Sequence, residues 1–190
     1  MLLDAYAIID KGIALAIRNE EHRLDKKLAC RRGCSNCCST HSDIPVYPLE
    51  LVGIYWFCIE KITQPVRNVI IGHLSGFEKS MPCPFLVNSS CSIHMLRPVS
   101  CRQFNVFGKT CEEGEDPYYT RRDDVLTPLE EYTKQAFSVM LPFYGITGET
   151  DKIYAIENGL IHAHVRILQA LDWKELAKRM EEFDSKKASF

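Results

Sequence analysis

No apolar stretch in this sequence is long enough to cross a bilayer: the longest, Leu51 to Ile59, is closed by Glu60. The first residues, Met1-Leu2-Leu3-Asp4, reach an acid at once and carry neither the basic segment nor the unbroken apolar segment of a secretory signal. An excess of one charge sign is also missing. The 23 Lys and Arg against 25 Asp and Glu leave a formal net charge of −2 and a pI near 6.3, which offers no basic footprint for nucleic acid. No glycine-rich phosphate loop, G-x-S-x-G elbow or H-E-x-x-H helix occurs, so the common signatures of nucleotide, serine-hydrolase and zinc-protease chemistry are lacking. Low-complexity tracts and internal repeats are absent too. What remains is 46% hydrophobic and 25% charged over 190 residues, the composition of one ordinary globular domain, expected in the cytoplasm and off the membrane.

Against that background the cysteines stand out. Eight of the nine, all but Cys58, fall in two groups within residues 30–111. Cys30, Cys34, Cys37 and Cys38 form a C-x3-C-x2-C-C block. Cys83, which opens Cys83-Pro84-Phe85-Leu86, is followed by Cys91, Cys101 and Cys111 at near-regular gaps. A disulfide framework fits poorly. Without an export signal the thiols are expected in a reducing compartment, 190 residues can bury a core without staples, and vicinal Cys37 and Cys38 rarely bridge each other. Thiolates this close in sequence can converge on one ion or cluster with little chain to fix, and a soft or borderline-soft metal is their natural recipient. Cys58, within Trp56-Phe57-Cys58-Ile59, reads instead as a small buried hydrophobe.

Apolar residues recur at helical spacing over residues 2–28, with Gly33 as the stop that turns the chain into the first cysteine block. Residues 40–47 read as loop or short strand. Pro48 opens an apolar helix to Ile62, and residues 64–77 make a weaker one interrupted by Gly72 and Gly76. From Met81 to Asp124, prolines at 82, 84, 98 and 117 alternate with cysteines, so a ligand should organise this stretch better than propensity can. Thr127-Pro128-Leu129-Glu130 has the form of a capping box for a helix to Leu141. Apolar positions repeat across 152–170 as on a helix, and Asp172 caps a terminal helix with a frayed tail from Ser185. The expected fold class is mainly α, with helices flanking an irregular, metal-organised cysteine-rich core. That is one domain over 1–190, with the core at 30–111 and flanking helices at 1–29 and 126–184.

The second cysteine region also carries a family resemblance. Cys83-Pro84-Phe85-Leu86, Cys91-Ser92-Ile93, Arg97-Pro98 and Cys101-Arg102-Gln103-Phe104, after Gly33-Cys34-Ser35-Asn36-Cys37-Cys38, resemble the YkgJ-type cysteine-cluster family over residues 30–104. That family is described as zinc- or iron-chelating. It is similar to the cysteine core of flagellin lysine N-methylases, which are associated with an iron–sulfur cluster. The resemblance implies Cys30, Cys34, Cys37, Cys38, Cys83, Cys91 and Cys101 as metal ligands. Cys111 lies beyond the aligned part and joins them by position. The chain departs from the pattern at His94, where relatives commonly carry tyrosine, and in its three-residue gap between Cys30 and Cys34, where two are common.

Eight thiols suffice for two tetrahedral zinc sites, or for one 4Fe-4S cluster with thiols to spare. A tight run of cysteines completed by a distant Cys-Pro echoes ferredoxin-type ligation, which narrowly favours an iron–sulfur cluster over zinc. Arg31, Arg32, Arg97 and Arg102 lie beside the cysteines. Arg97 and Arg102 are the cofactor-binding candidates, since they would offset thiolate charge; the plainer alternative is solvated arginines paired with Glu112, Glu113 or Asp116. His41 and His94 are candidate nitrogen ligands, or more simply surface or hydrogen-bonded residues. His162 and His164, two apart, should face different directions. Three functions stay open: a metal-binding protein without activity of its own, a cluster-dependent enzyme that methylates a protein substrate, and a thiol redox or metal sensor. No methyl-donor site can be picked out, so catalytic residues stay unassigned. Because the thiols outnumber what one centre needs, the expected site is closed by protein ligands.

Overall fold

The computed structural model describes residues 1–31 and 33–187, so Arg32 lies outside the described residues. Among those residues the helices are α1 (Leu2–Leu24), α2 (Asn36–Thr40), α3 (Pro48–Glu60), α4 (Val66–Ser75), α5 (Val99–Gln103), α6 (Pro117–Thr120), α7 (Glu130–Met140), α8 (Glu149–Glu157) and α9 (Lys174–Lys187). Four two-residue strands form two antiparallel ladders. β1 (Pro45–Val46) pairs with β4 (Arg166–Ile167), and β2 (Leu86–Val87) pairs with β3 (Ser90–Cys91). The chain is mainly α, as its sequence predicts, and no described helix is long and apolar enough to cross a membrane.

α1 turns Tyr6, Ile9 and Ala16 inward at the expected spacing, but it ends at Leu24, where Asp25 takes a left-handed conformation with φ 51°. Gly33, expected as its stop, has φ 83° yet serves a later turn. α1 lies along α7, and a Cβ at Gly12 would stand 2.5 Å from the Cβ of Tyr132, so glycine lets the two helices meet. Pro48 opens α3 as predicted. α7 starts at Glu130 and not at Thr127. Val125 bridges to Val106, and Leu126 N donates to Asn105 O at 2.8 Å; this extended pairing leads into residues 127–129, and the expected capping box does not form. The apolar repeat over 152–170 is not one helix either. Gly159 goes left-handed (φ 61°), and a 3-10 turn, Leu160–His164, leads into β4. α9 runs through Ser185 to Lys187, past the expected fraying point.

Two large apolar cores share α3, with Phe57 packed against both. One gathers α3, α4, α9 and the β2–β3 hairpin around Ile54, Ile70, Leu74, Phe85 and Trp173. The other gathers α1, the start of α3, α5 and α7 around Ile9, Leu96, Phe137 and Met140. Each fully buried side chain of this kind contributes roughly 1.5–3 kcal/mol. A smaller cluster, Ala16, Phe107 and Leu126, closes the far end of α1. Arg67 is a buried cation that the sequence does not announce. Its Nη1 donates to the carbonyls of Cys58 (2.8 Å), Ile59 (3.0 Å) and Ile62 (3.1 Å), which satisfies the end of α3. Its Nη2 reaches Met180 O (3.0 Å) and its Nε reaches Asp184 (2.8 Å), tying α4 to α9.

Glu50 ties the second core in the same way. Fully buried, it accepts from Tyr6 OH (3.1 Å), Tyr47 N (2.9 Å) and Val99 N (2.7 Å), so one carboxyl group joins α1, α3 and α5. Burial pushes it from 4.5 up to about 7, against the pull of those donors. Between those two values the folded state holds a proton that the unfolded chain releases. Stability from this group should therefore be present below pH 4.5 and decline as pH rises to about 7. Glu50→Gln should flatten that slope in urea unfolding measured across pH. A variant that kept the wild-type slope would contradict the assignment.

Candidate metal centre

The first cysteine block reaches the second through backbone pairing. Ala29 N donates to Val106 O (2.7 Å) and Gly108 N to Lys27 O (2.8 Å), which sets the Cys30 sulfur 3.3 Å from the Val106 N–H donor. α2 carries Cys37 and Cys38 and is held on three sides. Asn36 Nδ2 donates to Glu115 O, Cys83 N to Cys38 O, and Gln169 Nε2 to His41 O, each at 2.8 Å. The β2–β3 hairpin turns through Asn88-Ser89, both with positive φ (48° and 56°), the pattern of a type I′ turn, and sets Cys91 opposite Leu86. Pro98 then starts α5, which carries Cys101 and Arg102.

All nine cysteines are free thiols. Cys37, Cys83, Cys91 and Cys101 lie within electrostatic reach of one another, and Cys38 hydrogen-bonds with Cys37. Cys83 belongs to the α3–α4–α9 core, and Cys38, Cys91 and Cys101 pack against it. Burial pushes the Cys83 and Cys101 thiols up to about 12 and also raises Cys91. Cys37 is raised first by its hydrogen bond to Cys38 and then by burial. These are sulfurs that stay protonated unless a positive centre compensates their charge.

Cys30, Cys34 and Cys111 form an outer neighbourhood. Cys111 interacts electrostatically with both Cys30 and Cys34, and Arg121 Nη2 donates to its sulfur at 3.6 Å. Cys34 is exposed, and with Cys111 it opens on a cleft of about 780 Å³. Cys30 interacts with Cys34 and Cys37 and so joins the two neighbourhoods. Among the described residues no three Cys, His, Asp or Glu side chains already stand as a ligand group, so ligation requires the sulfurs to close in. The donor set itself suits a soft or borderline-soft metal: clustered, unbridged thiols, with Cys83 buried, Cys34 exposed and the others half-buried.

The arginines divide. Arg102 is buried and committed: Nε to Arg97 O (3.0 Å), Nη1 to both oxygens of Asp10 (2.9 and 2.7 Å), Nη2 to Met95 O, with its guanidinium 3.9 Å from the Tyr6 ring centre. Its charge still reaches Cys91. Arg97 interacts with Cys30, Cys37, Cys91 and Cys101, and its buried Nε makes no hydrogen bond among the described residues. An N–H donor in that position suits a sulfur-rich centre. Arg31 lines the cleft. Arg121, which the sequence did not single out, is fixed by Glu115 (2.8 Å) and touches Cys111; only the pairing of distant residues reveals it.

The other candidates fall into structural roles. Cys58 is fully buried in the apolar core, as predicted. His41 packs edge-on to Phe104 (4.5 Å), and its buried Nε2, 3.4 Å from Asp116 Oδ1, lacks hydrogen-bond geometry. His94 sits exposed on a 3-10 turn. His162 and His164 do face different partners: His162 Nδ1 meets Tyr47 OH at 2.7 Å, and His164 stacks on Tyr144 at 5.0 Å.

A family model named CxxCxxCC, described as a "putative zinc- or iron-chelating domain", matches residues 29–133. That span takes in all eight clustered cysteines, Cys111 included, and runs beyond the stretch from which the resemblance was read. No curated protein and no solved structure gives a significant match. With more than half of its length matched, the chain belongs to this cysteine-cluster family of zinc- or iron-chelating domains.

Proposed function

We propose that this protein is a cytoplasmic, single-domain metal-binding protein that holds an iron–sulfur cluster through its inner thiols. The observation that carries the proposal is the inner group itself. Cys37, Cys83, Cys91 and Cys101 supply four mutually interacting sulfurs, the number that a 4Fe-4S cluster or one tetrahedral zinc takes. Their largely apolar surroundings and the uncommitted Arg97 N–H are the features that tune such a cluster, and they favour iron–sulfur over zinc. When bound, the cluster would supply electron-transfer or structural chemistry. The chain's own residues hold the thiols together and exclude water from them. A protein-methylating role rests on resemblance to flagellin lysine N-methylases alone and ranks behind this one.

Protein purified without oxygen should be brown and contain iron with labile sulfide. A colourless protein carrying zinc would replace the cluster with a zinc site. Cys37→Ser or Cys83→Ser should lower metal content sharply, because a hydroxyl is a poor substitute for a thiolate. Cys58→Ala should leave metal content intact and lower only stability, by a cavity effect of roughly 1–2 kcal/mol. Equal metal loading in all three variants would overturn the ligand assignment.

A further inference from the structure

Apart from the inner group, two thiols share the surface cleft. Cys34 and Cys111 both line its 780 Å³, each within the stretch of chain that makes one wall. The two walls are tied together through one residue. Glu115 accepts Asn36 Nδ2 on its carbonyl (2.8 Å), and its carboxylate holds Arg121 (2.8 Å), whose Nη2 donates to the Cys111 sulfur at 3.6 Å. Cys34, two residues before Asn36, is exposed and follows Gly33, which stands at φ 83° with open space where a Cβ would be. Gly114, just before Glu115, is the same case at φ 74°. Each thiol therefore sits near a free glycine turn, and either loop can shift toward the other without disturbing packed side chains. The cleft has the volume of a small-molecule site. Arg31 lines it with a guanidinium that has no ion-pair partner among the described residues.

We infer that Cys34 and Cys111 are a dithiol that reduces small disulfides bearing carboxylate groups, with the cleft holding the substrate. Exposed Cys34 attacks first. Its thiolate displaces one half of the substrate as a thiol, which takes up the proton that Cys34 gave, and the other half stays on Cys34 as a mixed disulfide. Cys111 suits the second step. It is half-buried, burial raises its thiol, and Arg121 opposes that rise. Attack on a mixed disulfide held in the same cleft is favoured by proximity, and the Arg121 N–H stabilises the attacking thiolate. This step releases the second half with the Cys111 proton and leaves a Cys34–Cys111 disulfide. One S–S bond breaks and one forms overall: the substrate is reduced and the two cysteines are oxidised. Arg31 suits a substrate carboxylate. The inner thiols take no part, so the inference goes beyond the metal-binding reading and does not depend on it.

The test is reaction of the full chain, as purified and without oxygen, with glutathione disulfide, followed by intact mass and peptide mapping. Wild type should form a mapped Cys34–Cys111 disulfide and release both halves of the reagent as glutathione. Cys111→Ser should stop at a glutathione adduct on Cys34, and Cys34→Ser should form neither product. Metal content, measured in parallel, should stay constant, which separates these thiols from ligands. Arg31→Gln should react about tenfold more slowly with glutathione disulfide, yet at the wild-type rate with uncharged 2-hydroxyethyl disulfide. An adduct that persists on Cys34 of wild type, or equal oxidation of Cys34→Ser, would overturn the inference. So would metal loss in step with disulfide formation, since Cys34 or Cys111 would then be a ligand. A colourless zinc protein that still formed the Cys34–Cys111 disulfide would support the dithiol and overturn only the cluster reading.

Discussion

The Cys83 amide donates to the Cys38 carbonyl at 2.8 Å, and this hydrogen bond brings together two stretches of chain that α3 and α4 hold apart in sequence. Other features of the centre follow from it. With Asn36 and His41 O tied to Glu115 and Gln169, α2 is fixed against the hairpin and α5, so Cys37 faces Cys83, Cys91 and Cys101. A five-residue helix would not persist alone in water, since nucleation outweighs the few bonds it makes. Here it is held by partners far away in sequence. Sulfur thereby gathers beside an apolar core with no disulfide closed, and burial drives those thiols toward their protonated form. A positive metal is the group that relieves this.

Local signals were legible and long-range ones were not. The inward face of α1, Pro48 at the start of α3 and the lack of long elements between Met81 and Asp124 follow from spacing and from proline chemistry, which act within a few residues. The capping box at Thr127 failed because Val106, some twenty residues earlier, claims the neighbouring backbone for an extended pairing. The repeat over 152–170 broke at Gly159, whose left-handed conformation outweighs the apolar pattern around it. Arg67 and Glu50 look like ordinary surface charges in the sequence. Their burial depends on Asp184, Met180, Tyr6 and Val99, which only the folded chain brings to them.

The candidate site shows the same limit at finer scale. Cysteine spacing and the family resemblance named the thiols, but spacing cannot say which sulfurs face one another. Cys34 and Cys37 are three residues apart, yet Cys34 precedes α2 and opens on the cleft while Cys37 lies within α2 and turns to the inner group. Arg97 and Arg102 were equivalent candidates in the sequence. In the fold Arg102 is consumed by Asp10, Tyr6 and two carbonyls, and Arg97 keeps its Nε uncommitted among the described residues.

We propose that thiol-bound metal orders the stretch from Cys30 to Cys111, while the helices around it stand on their own apolar cores. Amide hydrogen exchange on metal-loaded and metal-stripped protein tests this most directly, with metal content verified in both samples. The account predicts that stripping strongly reduces protection across residues 30–111 outside α3 and α4, whereas α1, α7 and α9 keep theirs. Unchanged protection throughout 30–111 after complete metal removal would contradict it.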